Sequence, residues 1–160
     1  MTNTQQPATE SVWDYPRPPK VEPDERRVIV KAADRTLADT TRAVRVLETS
    51  HPPVFYLPDT DVDFTLLVPS PHTTFCEYKG RAVYWDVQAG ADRIAQAGWS
   101  YPDPSPGFEM IKDWIAFYPS RVQCTVDGET VRPQEGGFYG GWITAEIVGP
   151  FKGAPGTSGW

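Results

Sequence analysis

The most regular pattern in the chain is an alternation of side chains over residues 81–87. Every second residue, Val83, Trp85 and Val87, would share one face of an extended segment. The intervening residues would share the other face, with Tyr84 at its centre. This segment is the strongest β-strand prediction in the sequence.

Shorter runs of the same kind predict further strands. They cover residues 27–31, 37–39, 42–48, 54–57, 94–99, 122–126 and 142–148. In the run 42–48, Val44 and Val46 share a face with Glu48, which places a carboxylate at the end of an apolar stripe. Asp127 and Gly128 predict a two-residue hairpin turn, because a type I′ turn requires positive backbone angles that glycine tolerates.

One segment predicts a helix instead. In residues 107–114, Phe108, Ile111 and Trp114 follow one another at intervals of three and form a short apolar stripe. The whole chain contains 17 Pro and 13 Gly, which favours short strands over long helices. The pattern as a whole predicts a mainly β fold, an α+β arrangement with one short helix.

The length of 160 residues fits one domain. We expect the polar residues 1–10 to be a disordered leader and residues 11–148 to form the domain. Residues 149–160, rich in Gly and Pro and ending in Trp160, are predicted to form an arm. An aromatic arm of this kind is a candidate contact for a homodimer or for another protein.

Charge and hydropathy disfavour two classes of protein, those that bind nucleic acids and those that span a membrane. The formal net charge is −6 and no basic strip is present, which disfavours nucleic-acid binding. No apolar run approaches the roughly 20 residues that span a membrane, and the first residues lack a secretory signal pattern. We therefore expect a cytoplasmic protein in which the two cysteines, Cys76 and Cys124, remain reduced.

Reactive side chains are concentrated in residues 76–80. The thiol of Cys76 lies three positions before the amine of Lys79, and a nearby ammonium lowers the pKa of a thiol. His72, four residues earlier, is a candidate base. If the segment is extended, Cys76 and Lys79 face apart, so the pair can act together only if the chain turns near Gly80. The alternative is that Cys76 is a small buried apolar residue, as we expect for Cys124.

Aromatic residues near this segment predict the walls of a ligand pocket. The candidates are Tyr15, Tyr56, Tyr78, Tyr84, Trp99 and Tyr101. Their rings would offer flat apolar surfaces and their hydroxyl groups polar tips. Glu48 and Lys79 would orient a polar ligand, since a carboxylate on an apolar face needs a partner. The alternatives are that the aromatic residues form the core and that Glu48 and Lys79 lie in solvent.

Several chemical signatures are absent from the sequence. It contains no zinc-ligand pairs, no Walker loop, no GxGxxG and no GxSxG elbow. Asp59, Asp61 and Asp63 form a DxDxD run, but the glycine and the distal glutamate of a calcium loop are missing. We therefore predict no metal and no cofactor.

These segments together resemble the domain-of-unknown-function family 427. The resemblance rests on WDYP at 13–16, VLETS at 46–50, PPVFYLP at 52–58, TFCEYKG at 74–80, WSYPDP at 99–104 and AFYP at 116–119. It covers about residues 13 to 125. The segment around 136–153 looks like an extension specific to a subfamily.

The resemblance implies a β-tent fold, in which two small antiparallel sheets meet at an angle around a pocket. Methionine sulfoxide reductase B and the ligand-binding domain of cereblon are similar, and those relatives commonly bind a structural zinc through two cysteine pairs. This chain lacks those pairs, so packing alone must close its tent. The family sometimes carries a nucleotidyltransferase label, but the acidic run here lacks the Gly-Ser turn that such chemistry needs.

Three functional hypotheses follow from the sequence. The leading one is a domain that binds a small molecule in an aromatic pocket. The second is an enzyme that uses Cys76 as a nucleophile or redox thiol with help from Lys79 or His72. The third is a protein-interaction module or homodimer formed through the C-terminal arm.

Overall fold

The structure is a computed structural model that describes residues 8–160. Residues 1–7, most of the expected leader, lie outside the described residues. The strands are β1 Glu10–Ser11, β2 Lys20–Asp24, β3 Val28–Ala32, β4 Arg35–Thr40, β5 Ala43–Leu47, β6 Val54–Tyr56, β7 Leu67–Cys76, β8 Gly80–Ala89, β9 Asp92–Ser100, β10 Ala116–Phe117, β11 Gln123–Val126, β12 Glu129–Thr130, β13 Arg132–Pro133, β14 Trp142–Ile143 and β15 Ile147–Val148. The mainly β prediction is confirmed.

Helical structure is confined to short turns. Within residues 8–160 the helical elements are four 3-10 turns, at Val12–Asp14, Asp59–Asp61, Phe64–Leu66 and Glu109–Ile111. No helix in this part of the chain is long and apolar enough to cross a membrane.

The helix predicted over residues 107–114 is wrong. The chain makes successive three-residue turns there, with Ile111 N donating to Phe108 O and Trp114 N to Ile111 O. These turns pack Phe108, Ile111 and Trp114 into one cluster. The three-residue spacing of apolar side chains therefore arises from burial in this cluster and does not require an α-helix. The continuous strand predicted over 142–148 is also wrong, because a turn closed from Ile147 N to Thr144 O divides it.

Three sheets carry most of the fold. The pocket sheet has the order β10-β9-β8-β7 and is antiparallel throughout. The second four-stranded sheet has the order β12-β11-β3-β4, and the three-stranded sheet has the order β2-β5-β6. Two short pairs, β13-β14 and β1-β15, complete the described sheets, and β1-β15 is parallel.

Alternation along β8 divides its side chains between two cores. Trp85 and Val87 pack with the main aliphatic core, which also buries Cys124. Tyr84 packs into an aromatic cluster on the other face. The strand predicted over 81–87 is confirmed. A bulge lies beside it in β9, where Asp86 accepts hydrogen bonds from Gln96 N (2.8 Å) and from Arg93.

A buried arginine on the three-stranded sheet holds Glu10 of strand β1. The Arg45 side chain on β5 is 7 % exposed and pairs with Glu10 (2.9 Å), Glu22 (3.1 Å) and Asp24 (3.5 Å). Glu10 lies on β1, whose backbone partner is β15. The charge network therefore fixes the first described residues against the last strand.

The C-terminal arm folds back onto its own chain. Lys152 N donates to Ser50 O, and Arg17 Nη2 donates to Trp160 O at 2.7 Å. The rings of Trp13 and Trp160 meet edge to face at 5.3 Å. The aromatic tip is thus engaged within the chain, and a homodimer formed through the arm stays a prediction.

Candidate functional site

A cavity of about 340 Å³ lies between the pocket sheet and the three-stranded sheet. Strands β5 and β6 supply Val46, Val54 and Tyr56 to one side of it. Strands β7, β8 and β9 supply the other side. The segment around residues 134–140 and Lys152 of the arm close one end. The cavity is therefore built by segments that are far apart in sequence.

Five aromatic side chains form the inner wall. They are Tyr56, Tyr84, Trp99, Tyr101 and Tyr118, and each is at least nine-tenths buried. Trp99 Nε1 donates a hydrogen bond to the Tyr56 hydroxyl at 3.2 Å. The Trp99 ring also lies 4.6 Å from that of Tyr118. These contacts hold the indole against its neighbours and leave ring surface facing the cavity.

Three phenol groups of this wall are uncharged at neutral pH. Burial is the main cause that raises the pKa of Tyr56, Tyr101 and Tyr118 far above the ordinary value. The Tyr118 hydroxyl donates to Phe138 O, and the Tyr84 hydroxyl lies 3.1 Å from Thr74 Oγ1. The wall therefore presents uncharged hydroxyl groups beside its ring faces.

A three-residue turn brings the reactive segment to the same cavity. Cys76 pairs with Gly80 at the end of the β7–β8 hairpin, so residues 77–79 form its turn. Gly80 has φ +105°, a conformation that side chains with a Cβ rarely adopt. Because of this turn, Cys76, Tyr78 and Lys79 all line the cavity. In a continuous strand Cys76 and Lys79 would face apart, whereas this turn places both on one cavity.

The cavity also holds a polar group of side chains. Gln134, which is 5 % exposed, donates to Lys152 O at 2.6 Å and accepts from Gly141 N at 3.1 Å. Its Nε2 also lies 3.4 Å from His51 Nδ1. On the other side of the ring, His51 Nε2 faces the Glu48 carboxylate at 3.6 Å.

His51 is neutral at pH 7. Burial first, and then three nearby cationic side chains, lower its pKa to about 4. The cations are Lys152, Arg17 and Lys79. The contact with Glu48 is therefore not an ion pair at neutral pH, although its distance would allow one. Since Nδ1 faces the Gln134 amide donor, the ring proton belongs on Nε2, towards the carboxylate.

The cavity brings together most of the residues that the sequence predicted for a site. Those lining it are Glu48, Tyr56, Cys76, Tyr78, Lys79, Tyr84, Trp99 and Tyr101. Tyr15 lies elsewhere: it packs with Val12 and Leu47, and its hydroxyl bonds to Glu10. His72 is exposed and contacts the edge of the Tyr84 ring from outside the lining.

Sequence reasoning missed several lining residues. They are His51, Thr74, Tyr118, Gln134, Tyr139 and Lys152. Tyr118 lies in one of the recognised motifs and could have been added to the aromatic candidates. Gln134 and Lys152 carry no local signal, because only the fold brings their segments to the cavity.

No metal centre is formed by the described part of the chain. Among residues 8–160 no group of three or more His, Cys, Asp or Glu side chains is arranged to hold a metal ion. Both cysteines are free thiols, and burial raises the pKa of Cys124 well above its usual range.

The fold is that of a mainly β domain with a cluster of buried aromatic side chains. The chain belongs to the family of the domain of unknown function DUF427 (NTP_transf_9), whose model matches residues 20–128. A comparison with curated proteins found no match. The family match contains the phenol wall and the turn at residues 77–79, whereas Gln134, Tyr139 and Lys152 lie beyond it.

Gly140 is predicted to be essential for the position of Trp99. A Cβ at Gly140 would lie 2.2 Å from the Trp99 ring, so Gly140→Ala must displace the indole. We expect a loss of about 1–3 kcal/mol in the free energy of unfolding and a change in the near-UV circular dichroism. Gly137→Ala is the matched control, since nothing lies within 4 Å of its added Cβ. Equal effects of the two substitutions would contradict this packing.

His51 is predicted to make stability depend on pH. Between about pH 6.5 and pH 4 the unfolded chain binds a proton at His51 that the folded chain excludes. The free energy of unfolding should therefore fall as pH falls through this window, by up to about 3 kcal/mol from this group. Urea unfolding of wild type and His51→Gln at pH 7 and pH 4.5 measures the difference.

The variant His51→Gln should lose this part of the pH dependence, and the exposed His72→Gln should retain it because His51 is intact. A His51→Gln profile parallel to that of wild type would show that His51 is not excluded from protonation in the folded state.

Proposed function

We propose that this protein is a small-molecule-binding domain whose ligand occupies the aromatic cavity. The observation that carries the proposal is the cavity itself, about 340 Å³ between two sheets with phenol and indole walls. This volume is within the range of ligand sites, about 300–1,000 Å³. Core aromatics that only filled space would pack the volume between the sheets, since protein interiors are close-packed.

The lining combines features that orient a ligand. Ring faces from Trp99 and Tyr101 would contact flat apolar groups, and neutral phenols would donate hydrogen bonds. Glu48 and Lys79 add one charge of each sign at the rim. The placement of the cavity between two small sheets also supports the β-tent arrangement that the family resemblance implies, which we retain as part of the proposal.

Thermal-shift screening of a metabolite library against the full chain tests the proposed function. Thr74 on β7 lines the cavity, whereas the preceding residue Thr73 is exposed and points to the opposite side of the strand. Thr74→Trp should block the cavity and abolish the shift given by any wild-type hit. Thr73→Trp is the matched control and should leave the shift unchanged, each measured from the variant's own melting temperature.

A library without a hit, or hits that survive Thr74→Trp undiminished, would count against a ligand site in this cavity.

A second candidate function is an enzyme that uses Cys76 as nucleophile. The observation in its favour is the turn at residues 77–79, which brings Cys76 and Lys79 to one cavity. The half-buried Cys76 should then react with iodoacetamide at pH 7 faster than free cysteine, while Cys124, 1 % exposed, stays unmodified.

Peptide mass spectrometry separates the two sites. Lys79→Met should slow alkylation of Cys76, and the exposed Lys31→Met should not. If Cys76 reacts no faster than free cysteine, the nucleophile hypothesis loses its support.

A further inference from the structure

Two lysines line the cavity without a carboxylate partner. Lys79 lies in the hairpin turn and Lys152 in the C-terminal arm, and both are partly buried. Across residues 8–160, no carboxylate oxygen lies within 4 Å of either ammonium nitrogen. Lys152 instead lies 5.9 Å from the centre of the Tyr139 ring, an uncharged partner.

The carboxylates near these lysines do not cancel their charge. Glu48 has its own cation, with Oε2 at 3.8 Å from Arg17 Nε, and the same oxygen faces His51. Glu77 also lines the cavity, but it is exposed in the turn, where water and salt screen it. Lys79 and Lys152 both lie near enough to His51 to add to the effect of burial, which is the main cause that lowers the pKa of its ring.

The position of Lys152 is fixed by the fold. Its backbone carbonyl accepts the 2.6 Å hydrogen bond from the buried Gln134, and its backbone N–H donates to Ser50 O at 2.8 Å. Both backbone polar groups are therefore held by segments next to the cavity. The arm is anchored at Lys152, and the Lys152 side chain lines the cavity.

The size of the cavity limits the ligand. An apolar cavity of about 150 Å³ accommodates one benzene ring. The present volume of about 340 Å³ is large enough for two fused rings with a small substituent. Flat rings suit the faces of Trp99 and Tyr101, because offset and edge-on aromatic contacts need only ring surface.

We infer that the ligand is a flat one- or two-ring compound with an anionic substituent, which Lys79 and Lys152 bind while the aromatic wall contacts the rings. The inference rests on the proposed function and specifies its ligand class. Lys79 belongs to the part that matches the family, and Lys152 lies beyond it. The arm therefore contributes to the choice of ligand in this chain.

Isothermal titration calorimetry with three isosteric probes tests the inference on the full chain. The probes are 2-naphthoate, its neutral amide 2-naphthamide and the cation 2-naphthylmethylammonium. The carboxylate should bind at least about tenfold more tightly than the amide, because charge-assisted hydrogen bonds contribute more than neutral ones. The cation should bind most weakly, since the rim already carries two positive charges.

Variants assign this preference to the two lysines. Lys79→Met and Lys152→Met should each reduce the affinity for 2-naphthoate by about tenfold and leave that for 2-naphthamide unchanged. Lys31→Met, an exposed lysine on β3, is the matched control and should affect neither probe.

Equal binding of acid and amide, tighter binding of the cation, or an acid preference that survives both substitutions would each overturn the anionic ligand class. So would the absence of binding by all three probes. None of these outcomes decides the proposed function, which depends on the library screen and on Thr74→Trp; a neutral or cationic hit there would retain the site and reject only this inference.

Discussion

The hydrogen bond from the Trp99 indole to the Tyr56 hydroxyl is the interaction on which the site depends. It joins β9 of the pocket sheet to β6 of the three-stranded sheet across a buried space. Next to it, Leu57 and Ile115 exchange both backbone hydrogen bonds, at 2.8 and 2.9 Å. These hydrogen bonds tie the two sheets together beside the cavity. A buried indole N–H or phenol hydroxyl without a hydrogen-bond partner costs free energy. This cost favours the arrangement in which Trp99 and Tyr56 bond to each other.

The ends of the chain are held by a second constraint, the buried charge of Arg45. A buried ion pair is weak evidence for stability, because desolvation offsets the attraction. The network instead specifies the position of β1, because Arg45 pairs with Glu10 on that strand as well as with Glu22 and Asp24. Since β1 pairs with β15, the same network sets where the arm begins. The rim position of Lys152 follows from this anchoring and from its own bonds to Gln134 and Ser50.

Local patterns in the sequence predicted the parts of the structure that local forces determine. The hairpin turn at Asp127 and Gly128 is present, with φ of +47° and +83°. The alternation over residues 81–87 placed Tyr84 correctly, because a strand has a fixed period. The bulge in β9 opposite Asp86 was not predictable, since it depends on the hydrogen bond that Asp86 accepts from Gln96 N. The spacing of Phe108, Ile111 and Trp114 wrongly predicted an α-helix. Successive three-residue turns bury the same positions as a helix would.

The sequence motifs predicted most of the aromatic residues that line the cavity. They did not predict its polar lining residues. Gln134 and Lys152 lie in segments without regular patterning. Their positions depend on contacts with distant parts of the chain, such as that of Gln134 with His51, which is 83 residues away in sequence. Tyr15 shows the converse: its motif predicted a ligand contact, yet its hydroxyl is used by Glu10. An aromatic residue near a motif therefore predicts burial more reliably than it predicts which space the ring faces.

The decisive measurement is a crystal structure of the full chain soaked with a compound that shifts its melting temperature. We expect density for that compound in the cavity against the Trp99 and Tyr101 rings, with Trp99 Nε1 still bonded to Tyr56. A cavity filled by the protein's own side chains, with the compound bound elsewhere, would contradict it.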